Sequence, residues 1–362
     1  MAFIAFFLIL LGGQVYVSIR TWQLLPLPTA AKIAVISLFA LALMCLVARF
    51  LFKPEALPWW LNVAIYKIGT SWLILLLYAA MCFIILDLAQ LCRILPHSFT
   101  HHSLIGTVVI TSIIAIILVA GNICYHHKAV ERLTVTTTKP LPRDLKVVMM
   151  SDLHLGYHIG KDELHQWVDM INDEKPDLIL IAGDIVDISL YPIIKQNMTE
   201  EFKRFDAPVI ACLGNHEYYA GEDNAQQFYT NAGITLLRDS AIVTHGITII
   251  GRDDAANRHR KPLNHILLPD HDQRFSILLD HEPYHLEKAQ QAGIDFQFSG
   301  HTHHGQVWPI SWITDAMYEK SYGSYQRGNT QYYISSGIGI WGGKFRIGTR
   351  SEYVVLTIQG SN

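Results

Sequence analysis

Leu178-Ile-Leu-Ile-Ala182-Gly183-Asp184-Ile-Val-Asp187 is the stretch on which the fold turns. Five apolar residues in a row read as a strand buried on both faces, and the glycine and carboxylate that follow sit just past its end. The same arrangement recurs four times. Val147-Val-Met-Met150 precedes Asp152-Leu-His154, and Val209-Ile-Ala-Cys-Leu213 precedes Gly214-Asn215-His216-Glu217. Ile277-Leu-Leu279 precedes His281, and Phe296-Gln-Phe298 precedes Gly300-His301-Thr-His303. Strand ends in an open α/β sheet converge on one edge, where ligands bind. Distant segments then bring Asp, His and Asn donors into one cluster, which is what a pair of divalent cations needs.

The composition divides the chain. At 362 residues it exceeds one typical domain, so two units are expected. Hydrophobic residues make up 51% and charged ones only 16%, with a mean hydropathy of +0.24. A soluble enzyme carries about 25% charged residues, so part of this chain belongs in lipid. The deficit is confined to the first third. Four apolar stretches, residues 2–19, 33–47, 70–86 and 105–124, approach the roughly 20 helical residues that cross a bilayer. The first has neither the basic start nor the small-residue cleavage site of a signal peptide. The expected organisation is a transmembrane region with four spans over residues 1–125, a linker over 126–143 and a soluble domain over 144–362.

Four spans place both ends of the region on one face. Arg20, Lys32 and Arg93 fall on one side, and Arg49, Lys53, Lys67, Lys128, Arg132, Lys139 and Arg143 on the other. The positive-inside rule then puts the soluble domain in the cytoplasm. A net charge of −3 speaks against a broad basic face for nucleic acid, so no nucleic-acid partner is expected. The five cysteines show no disulfide or zinc-ribbon spacing.

The soluble domain alternates strand and helix. Residues 161–174 place Leu164, Trp167, Val168 and Ile171 on one helical face. Further helices are expected over 193–204, 223–232 and 284–292, and further strands over 234–237, 241–244, 247–250, 332–335 and 353–358. Alternation followed by consecutive strands suggests two packed sheets with helices outside.

The motifs have a chemical logic. In an extended loop, Asp152 and His154 share a face and can turn toward one metal. Each oxygen of Asp184 can bind one cation, Asn215 offers a neutral carbonyl oxygen, and His281, His301 and His303 offer imidazoles. Two ions about 3.5–4 Å apart polarise a phosphoryl group and generate hydroxide near neutral pH. His216, beside them, can give a proton to the departing oxygen. Glu217 either orients that ring or is an exposed turn carboxylate.

The ordered set DLH, GDIVD, GNHE, LLDHEP and GHTHHGQ resembles the calcineurin-like metallophosphoesterase superfamily, and more narrowly its membrane-anchored bacterial branch. The likeness covers about residues 145–358. It implies one metal held by Asp152, His154, Asp184 and His303, and a second held by Asp184, Asn215, His281 and His301. Mn²⁺, Fe and Zn²⁺ all suit such mixed ligands. His216 matches the family's catalytic histidine. The implied fold class is an N-terminal four-helix transmembrane region plus an α/β domain, a two-sheet β sandwich flanked by helices in four layers. The implied function is a membrane-integrated dimetal phosphoesterase, in which metal-bound hydroxide attacks a phosphodiester or pyrophosphate. Its setting would be a bacterial inner (plasma) membrane. A lipid or lipid-linked phosphate suits that placement.

Rival readings are a phosphoprotein or soluble-diester phosphatase, or a membrane receptor or scaffold whose metal domain only binds ligand. The complete ligand set weighs against the last. Asp187 reads as a turn-capping or orienting residue, and the side chain of His304 should point away from His303. The loop Arg252–Lys261 either holds an anion or is solvated. Trp308, Trp312 and Tyr318 form an apolar rim or simply pack.

Overall fold

The structure, a computed structural model, describes residues 2–51 and 56–361. Lys53 and Pro54, which entered the reading of orientation and loops, lie outside these described residues, as does the side chain of Arg49. The chain forms two compact units, residues 1–123 with 342–345, and residues 124–341 with 346–362.

The first unit is helical. It contains α1 (Ala2–Leu24), α2 (Thr29–Leu51), α3 (Trp59–Leu91), the short α4 (His97–Thr100) and α5 (Leu104–His126). Three helical segments among the described residues are long and apolar enough to cross a membrane: Thr29–Ala48, Trp59–Leu91 and Leu104–His126. The sequence suggested four; α1 is a 23-residue helix at the place of the other. Leu8, Leu38, Met44, Ile85 and Ile116 are exposed. Such an apolar exterior suits lipid rather than water. In lipid the hydrophobic effect does not hold helices together, so close approach and polar contacts must. Both are present. A Cβ on Gly69 would stand 2.7 Å from the Leu46 Cα, so only glycine lets α2 and α3 come so near. Arg20 pairs with Asp87 at 2.7 Å, the Tyr16 hydroxyl donates to Asp87 at 2.6 Å, and the Trp72 indole donates to Gln14 at 2.9 Å.

The second unit begins with a surprise in the expected linker. Residues 128–137 form β1 (Lys128–Thr137), which pairs in parallel with the last strand over its whole length. Its alternating Val130, Arg132, Thr134 and Thr136 suit a half-exposed edge, and only the distant partner strand reveals that role. The other strands are β2 (Leu145–Met150), β3 (Leu178–Ala182), β4 (Val209–Cys212), β5 (Thr235–Leu236), β6 (Ser240–Thr244) and β7 (Ile247–Gly251). They continue as β8 (Ser276–Leu279), β9 (Phe296–Ser299), β10 (Gly323–Arg327), β11 (Thr330–Ile334) and β12 (Ser351–Gly360). Helices α6 (Lys161–Asp173), α7 (Tyr191–Lys195), α8 (Thr199–Phe202), α9 (Asn215–Ala220), α10 (Glu222–Asn231), α11 (Glu287–Gln291) and α12 (Ile310–Met317) connect them. The single helix expected over 193–204 is broken into α7 and α8, because Asn197 takes a positive φ between them.

One sheet has the order β1-β12-β2-β3-β4-β5, the other β10-β11-β9-β8-β7-β6. Alternate residues of each buried strand face opposite ways, and this builds the layers. Val147, Met149, Leu180, Ile210, Ile249, Ile277 and Phe298 meet between the sheets. Val148, Met150, Ile179 and Ile181 turn outward onto Leu164, Trp167, Val168 and Ile171 of α6. Leu278 and Tyr332 turn outward onto Leu286 and Ala289. The result is helix, sheet, sheet, helix. Within their sheets β2, β3 and β4 are parallel, as are β7, β8 and β9.

Leu180 is fully buried between the sheets. Leu180→Ala should lower unfolding stability by about 2–5 kcal/mol, read as a reduced thermal or denaturant midpoint.

Candidate metal centre

Each motif begins where a parallel strand ends, and the backbone at those ends is strained. Asp152, His154, Asp184, His301 and His303 all have φ between 47° and 68°. This is left-handed territory that non-glycine residues rarely enter, and it persists only where surroundings enforce it. The enforcement is visible. The Asp152 amide donates to the Gly183 carbonyl at 3.1 Å and the His154 amide to the Asp184 carbonyl at 2.9 Å, locking the first two loops together. The Gly300 amide donates to the His281 carbonyl at 2.9 Å and locks the last two. Gly183 has φ of 75°, and a Cβ there would stand 2.7 Å from both the Gly214 nitrogen and His281 Nδ1. Only glycine fits.

The seven side chains singled out as metal ligands converge, with His216 beside them. Nε2 atoms of His154 and His303 stand 3.0 Å apart, and His303 Nε2 lies 3.5 Å from Asp152 Oδ1. Asp184 Oδ2 is 3.7 Å from His154 Nε2 and 3.1 Å from His281 Nε2. His301 Nδ1 is 2.8 Å from Asn215 Oδ1. Donor atoms of Asp152, His154 and His303 lie within 4.8 Å of one another, as do those of Asp184, His281 and His301. A third such group joins His154, Asp184 and His216.

The residues fit divalent cations. His281 Nδ1 donates to the Ala182 carbonyl at 2.7 Å, which fixes the tautomer and leaves Nε2 to face the cluster. That buried Nε2 faces Asp184 Oδ2 at 3.1 Å. Asp152 and Asp184 are nearly inaccessible to water, and carboxylates so placed need positive charge close by. Burial raises the Asp152 carboxyl, and Asp184 adds to the rise. Burial pulls the His281 imidazole down, but Asp184 outweighs it and holds the ring well above its usual range. A proton shared there occupies the place a cation would take. Burial lowers His301 to about 4 and holds His303 well below the usual range, which keeps both rings available as neutral donors.

His216 is held separately. Its Nδ1 donates to the Asp187 carbonyl oxygen at 3.0 Å, and Asp187 Oδ1 lies 3.5 Å away. Burial works against its charge, but Asp184 and Asp187 prevail and raise it to about 9. The Asp187 carboxylate also lies 3.6 Å from His154 Nδ1, so it orients two rings of the cluster. His304 does point away, stacking on Tyr322 at 4.5 Å.

Glu217 is neither a ring-orienting group nor an exposed turn. Its fully buried carboxylate accepts from the Gly214 amide at 2.7 Å, the Val186 amide at 3.0 Å and the Asp184 amide at 3.1 Å. It ties the end of β3 to the end of β4. Burial and Asp184 raise its carboxyl to about 7. A second support carries no sequence signal at all. The buried Arg346 guanidinium donates to the carbonyls of His303 and Gly339, each at 2.8 Å, and so joins two loops at the cluster.

A glutamine at position 217 keeps one acceptor oxygen and turns an N–H₂ toward amide donors. Glu217→Gln should lower stability by about 1–3 kcal/mol. Metal affinity should fall about 10–100-fold. Thermal unfolding and metal content per chain after dialysis read the two effects.

Comparisons with known proteins agree with this geometry. The family model for calcineurin-like phosphoesterase matches residues 145–305. An uncharacterized metallophosphoesterase of Campylobacter jejuni is 30% identical over 257 residues, which cover 68% of each chain. One from Helicobacter pylori is 30% identical over 237 residues, covering 61% of this chain and 62% of that relative. A "transmembrane protein with metallophosphoesterase domain" of Danio rerio is 26% identical over 336 residues, 85% of this chain and 76% of its own length. The ordered motifs, the two-sheet fold and these likenesses lead to one statement: the chain belongs to the calcineurin-like metallophosphoesterase family.

Proposed function

We propose that this chain is a membrane-integrated phosphoesterase that hydrolyses a lipid or lipid-linked phosphodiester or pyrophosphate with two divalent cations. One cation is held by Asp152, His154, Asp184 and His303, the other by Asp184, Asn215, His281 and His301. The observation that carries this reading is the meeting of buried carboxylates and imidazole nitrogens from five strand ends at one edge. Bound there, the cations supply a polarised phosphoryl group and an activated water.

The chain's own residues do the rest. The two Asp184 oxygens face different neighbours, Oδ1 accepting from the His216 amide at 2.9 Å and Oδ2 facing His281. Asp184 and Asp187 raise His216 to about 9, which favours the doubly protonated ring. Nδ1–H is committed to Asp187, so Nε2–H is free to neutralise a departing oxygen. Asp187 steadies the imidazolium while that proton is held. The scaffold reading finds no support in a histidine so prepared.

Membrane placement rests on the apolar helices, with α1 as a fourth span beside the three that qualify. The bias of basic residues favours a cytoplasmic soluble domain, and a bacterial inner membrane suits such a chain. Trp312, Ile313 and Met317 of α12 are exposed, an apolar rim that suits a lipid-proximal substrate.

Asp184→Asn should abolish hydrolysis of bis(p-nitrophenyl) phosphate by detergent-purified, metal-loaded protein. His216→Ala should lower kcat about 10²–10⁴-fold while metal content stays intact. Full activity in both variants would overturn the catalytic assignment. Chelation should remove turnover, and adding back Mn²⁺, Fe²⁺ or Zn²⁺ singly should restore it. Good turnover of soluble diesters with none of any lipid phosphoester would remove the lipid substrate alone.

A further inference from the structure

The loop after β7 gathers four cationic side chains, Arg252, Arg258, Arg260 and Lys261. β7 lies parallel to β8, so its carboxyl end opens on the same edge as His281. There a cavity of about 460 Å³ is lined by Arg258, Arg260, Lys261, Glu282, Tyr284 and Lys288 among others. The loop is an ordered piece of structure. The Ala256 amide donates to Asp254 at 2.8 Å, the Arg260 amide to the Asn257 carbonyl at 3.1 Å and the Lys261 amide to Asp239 at 2.6 Å.

Its cations divide into two groups. Arg252 and Arg260 both bind Asp280, the residue before His281, at 2.9 and 2.6 Å. One carboxylate thus serves two guanidinium groups, and Nε of each is buried without a hydrogen-bond partner. Arg258, Lys261 and Lys288 reach the cavity with no ion pair among the described residues. Lined this way, the cavity offers three cationic side chains outside any ion pair among the described residues, with Glu282 the one carboxylate in its lining.

The cavity shares a wall with the metal centre. Glu282, which lines it, lies 3.9 Å from His301 Nε2. Tyr284 stacks on Tyr318 at 4.8 Å, and the Tyr318 ring lies 6.4 Å from that of His301. An anion in this cavity would therefore sit across that wall from a phosphoryl group at the metals. Forked guanidinium donors and clustered ammonium groups suit phosphate oxygens.

We propose that this cavity receives a second phosphoryl group of the substrate, so that the enzyme prefers diphosphate-type molecules over esters carrying a single phosphate. The proposal rests on the phosphoesterase reading and narrows its substrate class. The alternative source of the same chemistry is free inorganic phosphate.

The test uses full-length, detergent-purified, Mn²⁺-loaded protein with two substrates, bis(p-nitrophenyl) phosphate and a diaryl pyrophosphate. The variants are Arg258→Ala with Lys288→Ala, and Arg258→Glu; both positions are exposed, so folding is spared. Lys203→Ala, just past the end of α8, serves as the control. In the double variant the ratio of kcat/KM, pyrophosphate to monophosphate ester, should fall about tenfold or more, mostly through KM. The control should keep the ratio. An unchanged ratio overturns the proposal, and so does an unchanged ratio with weakened inhibition by inorganic phosphate, which would mark a free-phosphate site. Turnover of neither substrate by the unaltered chain would sink the phosphoesterase reading instead. Calorimetric binding of the diaryl pyrophosphate then decides the cavity: loss of binding in the double variant supports it, and equal binding refutes it.

Discussion

Everything at the functional edge answers to one constraint: Asp152 and Asp184 are carboxylates withdrawn from water and set within reach of each other. Like charges in a dry site repel, and burial favours their neutral forms. The protein meets this with imidazoles rather than with Lys or Arg inside the cluster. His301 and His303 are kept neutral by burial, while His281 is held protonated by Asp184 in the place a cation would take. Of the two nearby carboxylates outside the ligand set, Asp187 faces His154 and His216, and Glu217 is spent on backbone amides.

The two-sheet architecture makes that cluster possible without a long loop. β2, β3 and β4 deliver Asp152, His154, Asp184 and Asn215 from one sheet, and β8 and β9 deliver His281, His301 and His303 from the other. Their apolar interior residues fix the distance between the sheets, and the loop-to-loop amide bonds fix the offset of the strand ends. Side chains gathered in this way are placed by backbone geometry more than by rotamer choice, which is what precise ligation requires.

The strands and the clustering of Asp and His donors were legible because each signal was local: an apolar run, then a donor. Leu178–Ala182 with Asp184 is legible from ten residues alone. What failed to show was non-local. β1 lay in a Thr-rich stretch whose pairing with β12 depends on residues more than 200 positions away, such as Lys128 with Ser351. Arg346 has no motif around it, and its role depends on three carbonyls brought in from two loops. Glu217 was ambiguous for a related reason. Its neighbour His216 suggested a side-chain partner, whereas the actual partners are amides, which sequence does not distinguish. The first helix was equally readable as a span by length, but α2, α3 and α5 meet the combined test of length and hydropathy.

The carboxylate of Glu217 has a mechanical consequence. It grips the Asp184 loop and the Asn215 loop at once. Asp184 faces both proposed ion positions and Asn215 only one of them. A disturbance that loosens either loop is therefore transmitted to the other through this carboxylate and through the His216 amide bond to Asp184. The two halves of the centre should therefore assemble and fail together.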